Sequence, residues 1–335
     1  MSLIVETKDL TRRYGKTLAL DSLNLAIPTG AIYGFIGPNG AGKTTTMRIL
    51  TTLLAPTSGD AWIAGASIHS DIKAVRAQVG FMPDFFGVYD SMTSWEYLDF
   101  FGRAFHVPAE RRLPAIEELL ALVDLSHKRD EYVMGLSRGM KQRLSLARTM
   151  IHDPKLLILD EPASGLDPRA RIELRELLKE LSALGKTIMI SSHILTELAE
   201  MCTHIGIIEQ GRLLASGDVN TIMNQLKPHV VLNIRVLSNA ARAREVLSTF
   251  ESVSNIRISH RNGEDTNGEQ DDPAYEAAID PEQAYNLLVD FQGDEQSKSH
   301  ILTTLIQNQI PISLFQEQAS NLEDIFMQVT QGIVQ

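Results

Sequence analysis

The chain has 335 residues, 44% of them apolar and 22% charged, which is enough material for two domains with real cores. Its formal net charge of −11 argues against a broad nucleic-acid surface, and its single cysteine, Cys202, excludes an internal disulfide and fits a reducing compartment. The first ten residues lack the basic stretch and apolar run of a secretory signal, and no window approaches the roughly 18 uninterrupted apolar residues of a spanning helix, so any membrane role is expected to pass through a partner.

Residues 1–36 read as strands. Leu18–Ile27 is apolar-rich and ends at the turn signal Pro28-Thr29-Gly30, and Ala31–Ile36 runs directly into a glycine-rich loop. That loop, Gly37-Pro38-Asn39-Gly40-Ala41-Gly42-Lys43-Thr44, fits GxxxxGK[ST] in full. Its glycines let backbone N–H groups turn inward around phosphate oxygens. Lys43 is placed for the β- and γ-phosphates, and the Thr44 hydroxyl for Mg²⁺, with Thr45 beside it. A helix starting near Thr44 would add its positive N-terminal dipole.

Val79–Met82, Leu156–Leu159 and Thr187–Ser191 are short apolar or β-branched runs, as expected of parallel strands buried on both faces. A mostly helical block spans about 93–152. Asp160-Glu161 closes the second of those runs. Asp160 is the candidate Mg²⁺ ligand, through water, and Glu161 the general base for an attacking water. A lone acidic pair after a strand is often only a turn. The phosphate loop earlier in the chain favours the catalytic reading. Asp167-Pro168 sets a helix start, with Leu174, Leu177, Leu178, Leu181 and Leu184 at helical spacing and Gly185 as the stop.

The character changes after Gly217. Residues 218–335 carry no second phosphate loop, and read as a small α+β accessory domain. Strand-like stretches occur at Val230–Val236, Ile256–Ser259 and Tyr275–Ala278, and Arg261–Pro273 is polar, acidic and loop-like. The fold class expected is α/β: a P-loop NTPase with an antiparallel β subdomain and a helical insertion over residues 1–217, then the accessory domain.

Taken in order, these motifs resemble the ATP-binding cassette (ABC) ATPases over about residues 3–217. Leu136-Ser137-Arg138-Gly139-Met140-Lys141-Gln142-Arg143 resembles the family signature, usually LSGGQ followed by basic residues, with Arg138 and Met140 replacing its common Gly and Gln. The resemblance implies that Ser137 and Gly139 grip the γ-phosphate of ATP bound to the opposite subunit. It also implies that Ser164-Gly165-Leu166-Asp167 is the D-loop crossing the dimer interface, with Asp167 a site residue, that His193 contacts the γ-phosphate, and that Tyr14 stacks on adenine. Asp84 stands where the family usually has glutamine. It is a candidate on the metal side, as an Mg²⁺ ligand or a contact through water, with a plain loop residue as the alternative.

The implied cofactors are ATP and Mg²⁺. The implied partners are an integral-membrane permease and a second ATP-binding subunit, a homodimer or else a heterodimer, at the cytoplasmic face of the membrane; no nucleic acid is expected. Trp95, Tyr97, Phe101 and Phe105 are candidates for passing motion to the permease, wherever they are exposed. The signature variant and Asn321-Leu322-Glu323-Asp324-Ile325-Phe326 resemble a subgroup that energises export and carries a C-terminal extension; Ile325, Phe326 and Val329 read equally as core of a last helix. Two rivals stay open: a soluble relative acting on a ribosome or nucleic-acid complex, and a non-catalytic regulator. Ribosomal relatives usually carry two cassettes, and chromosomal ones long coiled coils. This chain has one cassette and no sustained heptads, and Glu161 argues for catalysis.

Overall fold

The computed structural model describes residues 2–84, 87, 89, 91–193, 198, 201–225, 230–259 and 283–318. The loop expected at Arg261–Pro273, the strand expected at Tyr275–Ala278 and the terminal residues Asn321–Phe326 and Val329 lie outside them. The chain divides into two compact units, 1–223 and 224–335.

In the first unit an antiparallel sheet is built on β1 (Leu3–Tyr14), flanked by β2 (Thr17–Leu23) and β5 (Ser58–Ile63), with β3 (Ala26–Pro28) also on β1 and β6 (Ala66–Ser67) on β5. The apolar run 18–27 is thus two strands. It breaks where Ser22 takes φ 50° and Asn24 turns back to bond Asp9 and the Ser22 carbonyl.

The second sheet has six strands in the order β11-β10-β4-β9-β8-β7: β4 (Ile32–Ile36), β7 (Val79–Met82), β8 (Leu156–Leu159), β9 (Thr187–Ser192), β10 (His204–Glu209) and β11 (Arg212–Asp218). All neighbours are parallel except β10 and β11. Every residue of β4, β8 and β9 is buried, as expected of strands covered on both faces. The carboxyl ends of β4, β9 and β8, side by side in that order, are where a parallel α/β sheet presents ligand-binding loops.

Helices α1 (Lys43–Leu50) and α2 (Ile72–Gln78) follow the first strands, and the insertion holds α3 (Ser94–Ala104), α4 (Ala109–Leu122) and α5 (Arg138–Met150). Helix α3 starts on a full capping box between Thr93 and Glu96. Helix α6 (Pro168–Ala183) starts on Asp167, whose carboxylate accepts the Ala170 N–H, with Pro168 at the first position. Its buried stripe is Leu174, Leu177, Leu178 and Leu181, each such side chain contributing about 1.5–3 kcal/mol. Leu184 instead caps the helix and is 65% exposed, because the last turn ends before the stripe returns to the core. No helix among the described residues is long and apolar enough to cross a membrane.

The unit runs past Gly217. Helix α7 (Val219–Gln225) begins with Val219 and Ile222, both buried, and the Val219 N–H bonds the Thr203 carbonyl.

The second unit runs β12 (Val230–Val236), α8 (Ala240–Ser248), β13 (Val253–Ser259), β14 (Tyr285–Phe291), α9 (Glu295–Gln307), β15 (Ile312–Gln318). Its antiparallel order, β13-β14-β12-β15, is a βαββαβ layout with the first strand near the middle. Leu232, Ile234 and Val236 of β12 and Leu287, Val289 and Phe291 of β14 share one core with Ala243, Leu247, Ile301 and Leu305 of the helices.

Candidate functional site

The loop after β4 is shaped by glycines whose roles differ. A Cβ on Gly37 would fall 2.2 Å from the Ile208 carbonyl, so the loop leaves the sheet in contact with β10 only because Gly37 has none. Gly42, at φ 109°, opens α1, and no side chain caps that helix. Its first N–H groups stay available to an anion. Asn39, Gly40 and Thr44 are exposed on this loop, Pro38 and Thr45 are half-buried, and Gly37, Ala41, Gly42 and Lys43 are buried.

Lys43 folds back over the loop. Its ammonium donates to the Gly37 carbonyl at 2.6 Å and the Pro38 carbonyl at 3.3 Å, and lies 3.7 Å from Glu161 Oε1. Burial pulls its pKa below the usual lysine value, while the charges of Glu161 and Asp160 act in the opposite direction. A cation so desolvated and so loosely paired is ready for a stronger anion.

Asp160 is 1% exposed at the end of β8. Its Oδ1 accepts the Ser191 hydroxyl at 2.6 Å, and the same Ser191 oxygen accepts the Glu161 N–H at 2.8 Å. Glu161 sits at φ 50°, a left-handed conformation that a non-glycine residue adopts at a cost. That turn aims its carboxylate at two partners: Lys43, and His193 Nδ1 at 3.1 Å from Oε2. Lys43, Asp160, Glu161 and His193, drawn from the ends of β4, β8 and β9, thus converge. Ser191 is the member that the sequence reading missed. Its only signal was a polar pair, Ser191-Ser192, ending an apolar strand.

A second cluster lies elsewhere on the unit. Ser137 caps α5 by accepting the Met140 N–H at 3.3 Å, and the apolar face of that helix, Leu144, Ala147 and Ile151, is buried as expected. Ser137, Gly139 and Asp167 line one recess of about 270 Å³, which no phosphate-loop residue lines. The signature half of the expected ATP site therefore forms a recess of its own in this chain. Tyr14 is on the antiparallel sheet, 45% exposed, with the Arg12 guanidinium 4.6 Å above its ring centroid. Asp84 is exposed just after β7, beside the strand that carries Asp160.

Of the insertion's aromatics, Tyr97 is fully buried and belongs to the core, so it is no docking residue. Phe105 is 43% exposed and stacks on His152 with ring centroids 3.9 Å apart. Phe101 is half-buried under Arg148, whose guanidinium also donates to the Phe81 carbonyl at 3.0 Å. With Arg48 and Arg76 these residues line a groove of about 600 Å³.

A phosphate loop after β4 and two carboxylates after β8, one of them buried, at the same end of a parallel sheet with β9 between them define a P-loop nucleotide-binding protein. The ABC transporter family profile matches residues 20–164. The bacitracin transport ATP-binding protein BcrA of Bacillus licheniformis is 43% identical over 215 residues, covering 64% of this chain and 69% of that one. A Nod factor export ATP-binding protein I of Burkholderia lata is 39% identical over 75% of this chain and 83% of its own. An ABC transporter ATP-binding protein of Bacillus subtilis, YcbN, is 34% identical over 99% of this chain and 98% of its own. Among solved structures, an ATP-binding subunit of an ABC transporter superposes with a TM-score of 0.61 at 30% identity, covering 66% of this chain and 92% of that one. The chain belongs to the ATP-binding subunits of ABC transporters, and it binds and hydrolyses ATP to energise transport.

Proposed function

We propose that this subunit drives export through a separate permease at the cytoplasmic face of the membrane. Export is supported by the relatives named for Nod factor export, one of which aligns over 75% of this chain. Convergence of Lys43, Asp160, Glu161 and His193 at the ends of adjacent strands carries the reading of the site. On binding, phosphate oxygens take the Lys43 ammonium from the loop carbonyls and meet the N–H groups opening α1. Glu161, freed from Lys43, takes a proton from the attacking water at its carboxylate, while His193 holds that carboxylate's other oxygen and reaches the γ-phosphate. Tyr14 offers adenine the ring face opposite Arg12.

The donors present fit Mg²⁺. Among the described residues no group of three His, Cys, Asp or Glu side chains forms a closed metal cage. The free oxygen of Asp160 and the exposed Thr44 hydroxyl instead offer a few hard ligands to an ion that keeps waters and phosphate oxygens. Bound there, Mg²⁺ would neutralise charge on the β- and γ-phosphates. Asp84 lies on the same sheet end, and its carboxylate serves the metal side.

The separation of the recess of Ser137, Gly139 and Asp167 from the phosphate loop supports a head-to-tail pair of these subunits, each completing the other's site. The groove of Phe81, Phe101 and Phe105, edged by Arg48, Arg76 and Arg148, suits a permease segment carrying apolar and acidic side chains. Residues from 224 onward, a unit with its own core, regulate or stabilise the pair. The test of the site is Lys43→Ala. MgATP binding weakens and turnover is abolished while the thermal melt is retained. Wild-type turnover in this variant would overturn the assignment.

A further inference from the structure

Arg138 stands at the first position of α5, where the common family signature has glycine, and the structure gives this substitution a place to act. Its Nη2 donates to the Ser164 carbonyl at 3.1 Å. Its guanidinium also lies against Gly165: a Cβ there would fall 2.3 Å from both Cζ and Nη2. Gly165 is at φ 68°, so the turn and the close approach both depend on its lacking a side chain. The Ser164 N–H in turn donates to the Glu161 carbonyl at 3.0 Å. Two hydrogen bonds therefore run from the start of the signature helix, through Ser164, to the residue read as the base. The next residue along α5, Gly139, is itself packed toward the D-loop side, with Leu166 and Ala170 each 3.8 Å from where its Cβ would be.

We infer that Arg138 is a positioning residue that locks the D-loop turn Ser164–Gly165 to the signature helix, so that engagement of Ser137 and Gly139 by one nucleotide sets the backbone of Glu161 at the other. This rests on the sandwich and base assignments above. The chemistry is that of a charged planar donor on a carbonyl, stronger than a neutral hydrogen bond and directional because the guanidinium is rigid. Glu161 is already held in a left-handed conformation, so a small displacement of Ser164 moves its carboxylate away from Lys43 and His193. The signature and the base belong to different nucleotide sites, so the link couples the two sites within one chain.

The experiment measures steady-state ATP hydrolysis by the full-length chain across ATP concentrations, for wild type, Arg138→Gly, Arg138→Lys and Gly165→Ala, with thermal melts. Arg138 is exposed, so Arg138→Gly leaves the melt in place. The expected result is a kcat about 3- to 10-fold lower with KM for MgATP within about twofold, and a sigmoidal wild-type dependence that becomes hyperbolic. Arg138→Lys keeps part of the effect, having one point donor and no plane. Gly165→Ala strains the turn as well as displacing the guanidinium, so its kcat falls at least as far as that of Arg138→Gly. Wild-type kcat in Arg138→Gly, or a hyperbolic wild type, would overturn the inference. So would a loss seen only as weaker MgATP-driven pairing on a Glu161→Gln background, which would assign Arg138 to the partner's phosphate instead. Hydrolysis that survives Glu161→Gln alone would refute the base assignment. Hydrolysis lost in Glu161→Gln but unaffected by Arg138→Gly would refute only the coupling.

Discussion

Ser191→Ala removes a single oxygen that serves two neighbours, and its cost follows from the geometry. The variant takes the 2.6 Å donor from Asp160 Oδ1, on a carboxylate only 1% exposed, and the 2.8 Å acceptor from the Glu161 N–H. A hydrogen bond to a charged group contributes about 1.5–3 kcal/mol, and an ordinary one about 1 kcal/mol more. The sum, about 2.5–4 kcal/mol, corresponds to a fall of about 5–16 °C in the melting of a unit this size. The same loss frees Asp160 and the backbone of Glu161 to shift, so kcat drops by about tenfold or more, since small misplacements of reacting groups are expensive. Nucleotide binding, which rests on Lys43 and the loop, changes little. Differential scanning calorimetry with a phosphate-release assay reads both quantities. A melt within about 1 °C of wild type together with wild-type kcat would refute the argument that Ser191 holds the two carboxylate residues in place.

Two further outcomes are expected. Asp84→Asn shifts the Mg²⁺ and Mn²⁺ dependence of hydrolysis while leaving the melt in place, because Asp84 is exposed; identical metal titrations would return it to the role of a loop residue. A chain ending at Met223 still binds ATP by equilibrium dialysis, because the cassette unit closes there and keeps Val219 and Ile222; loss of binding in a folded, soluble truncation would place part of the site beyond it.

What the sequence made legible was local. The phosphate loop is contiguous, so its glycines, Lys43 and Thr44 could be read from spacing alone. Asp167 and Ser137 were readable as helix starts because capping needs only the next three residues. Asp160 and Glu161 were marked by the apolar run before them. Contacts across the sheet were not legible. Ser191 reaches Asp160 only because β9 pairs with β8 in a register that brings two distant strand ends together. Arg138 looked like a departure from a motif, and its meaning lies in Ser164, reached through the packing of two helix starts. Which of the insertion's aromatics stay exposed was not legible either: the helix turns Tyr97 into the core and leaves Phe105 43% exposed. In the second unit β14 alternates buried and half-buried residues, Tyr285, Leu287, Val289 and Phe291 inward, a period-two signal that the sequence reading passed over.

The most direct test of the central claim, ATP held between two copies and cleaved by Glu161, is size-exclusion chromatography of Glu161→Gln with and without MgATP, with hydrolysis measured on the same sample. Glutamine keeps the shape and hydrogen-bonding capacity but not the basic carboxylate, so hydrolysis falls by about 10²-fold or more while binding survives. The account predicts that the uncleaved nucleotide holds a dimer that disappears when MgATP is omitted. A monomer under saturating MgATP with binding confirmed would contradict the homodimeric sandwich, and near-normal hydrolysis would remove Glu161 from catalysis.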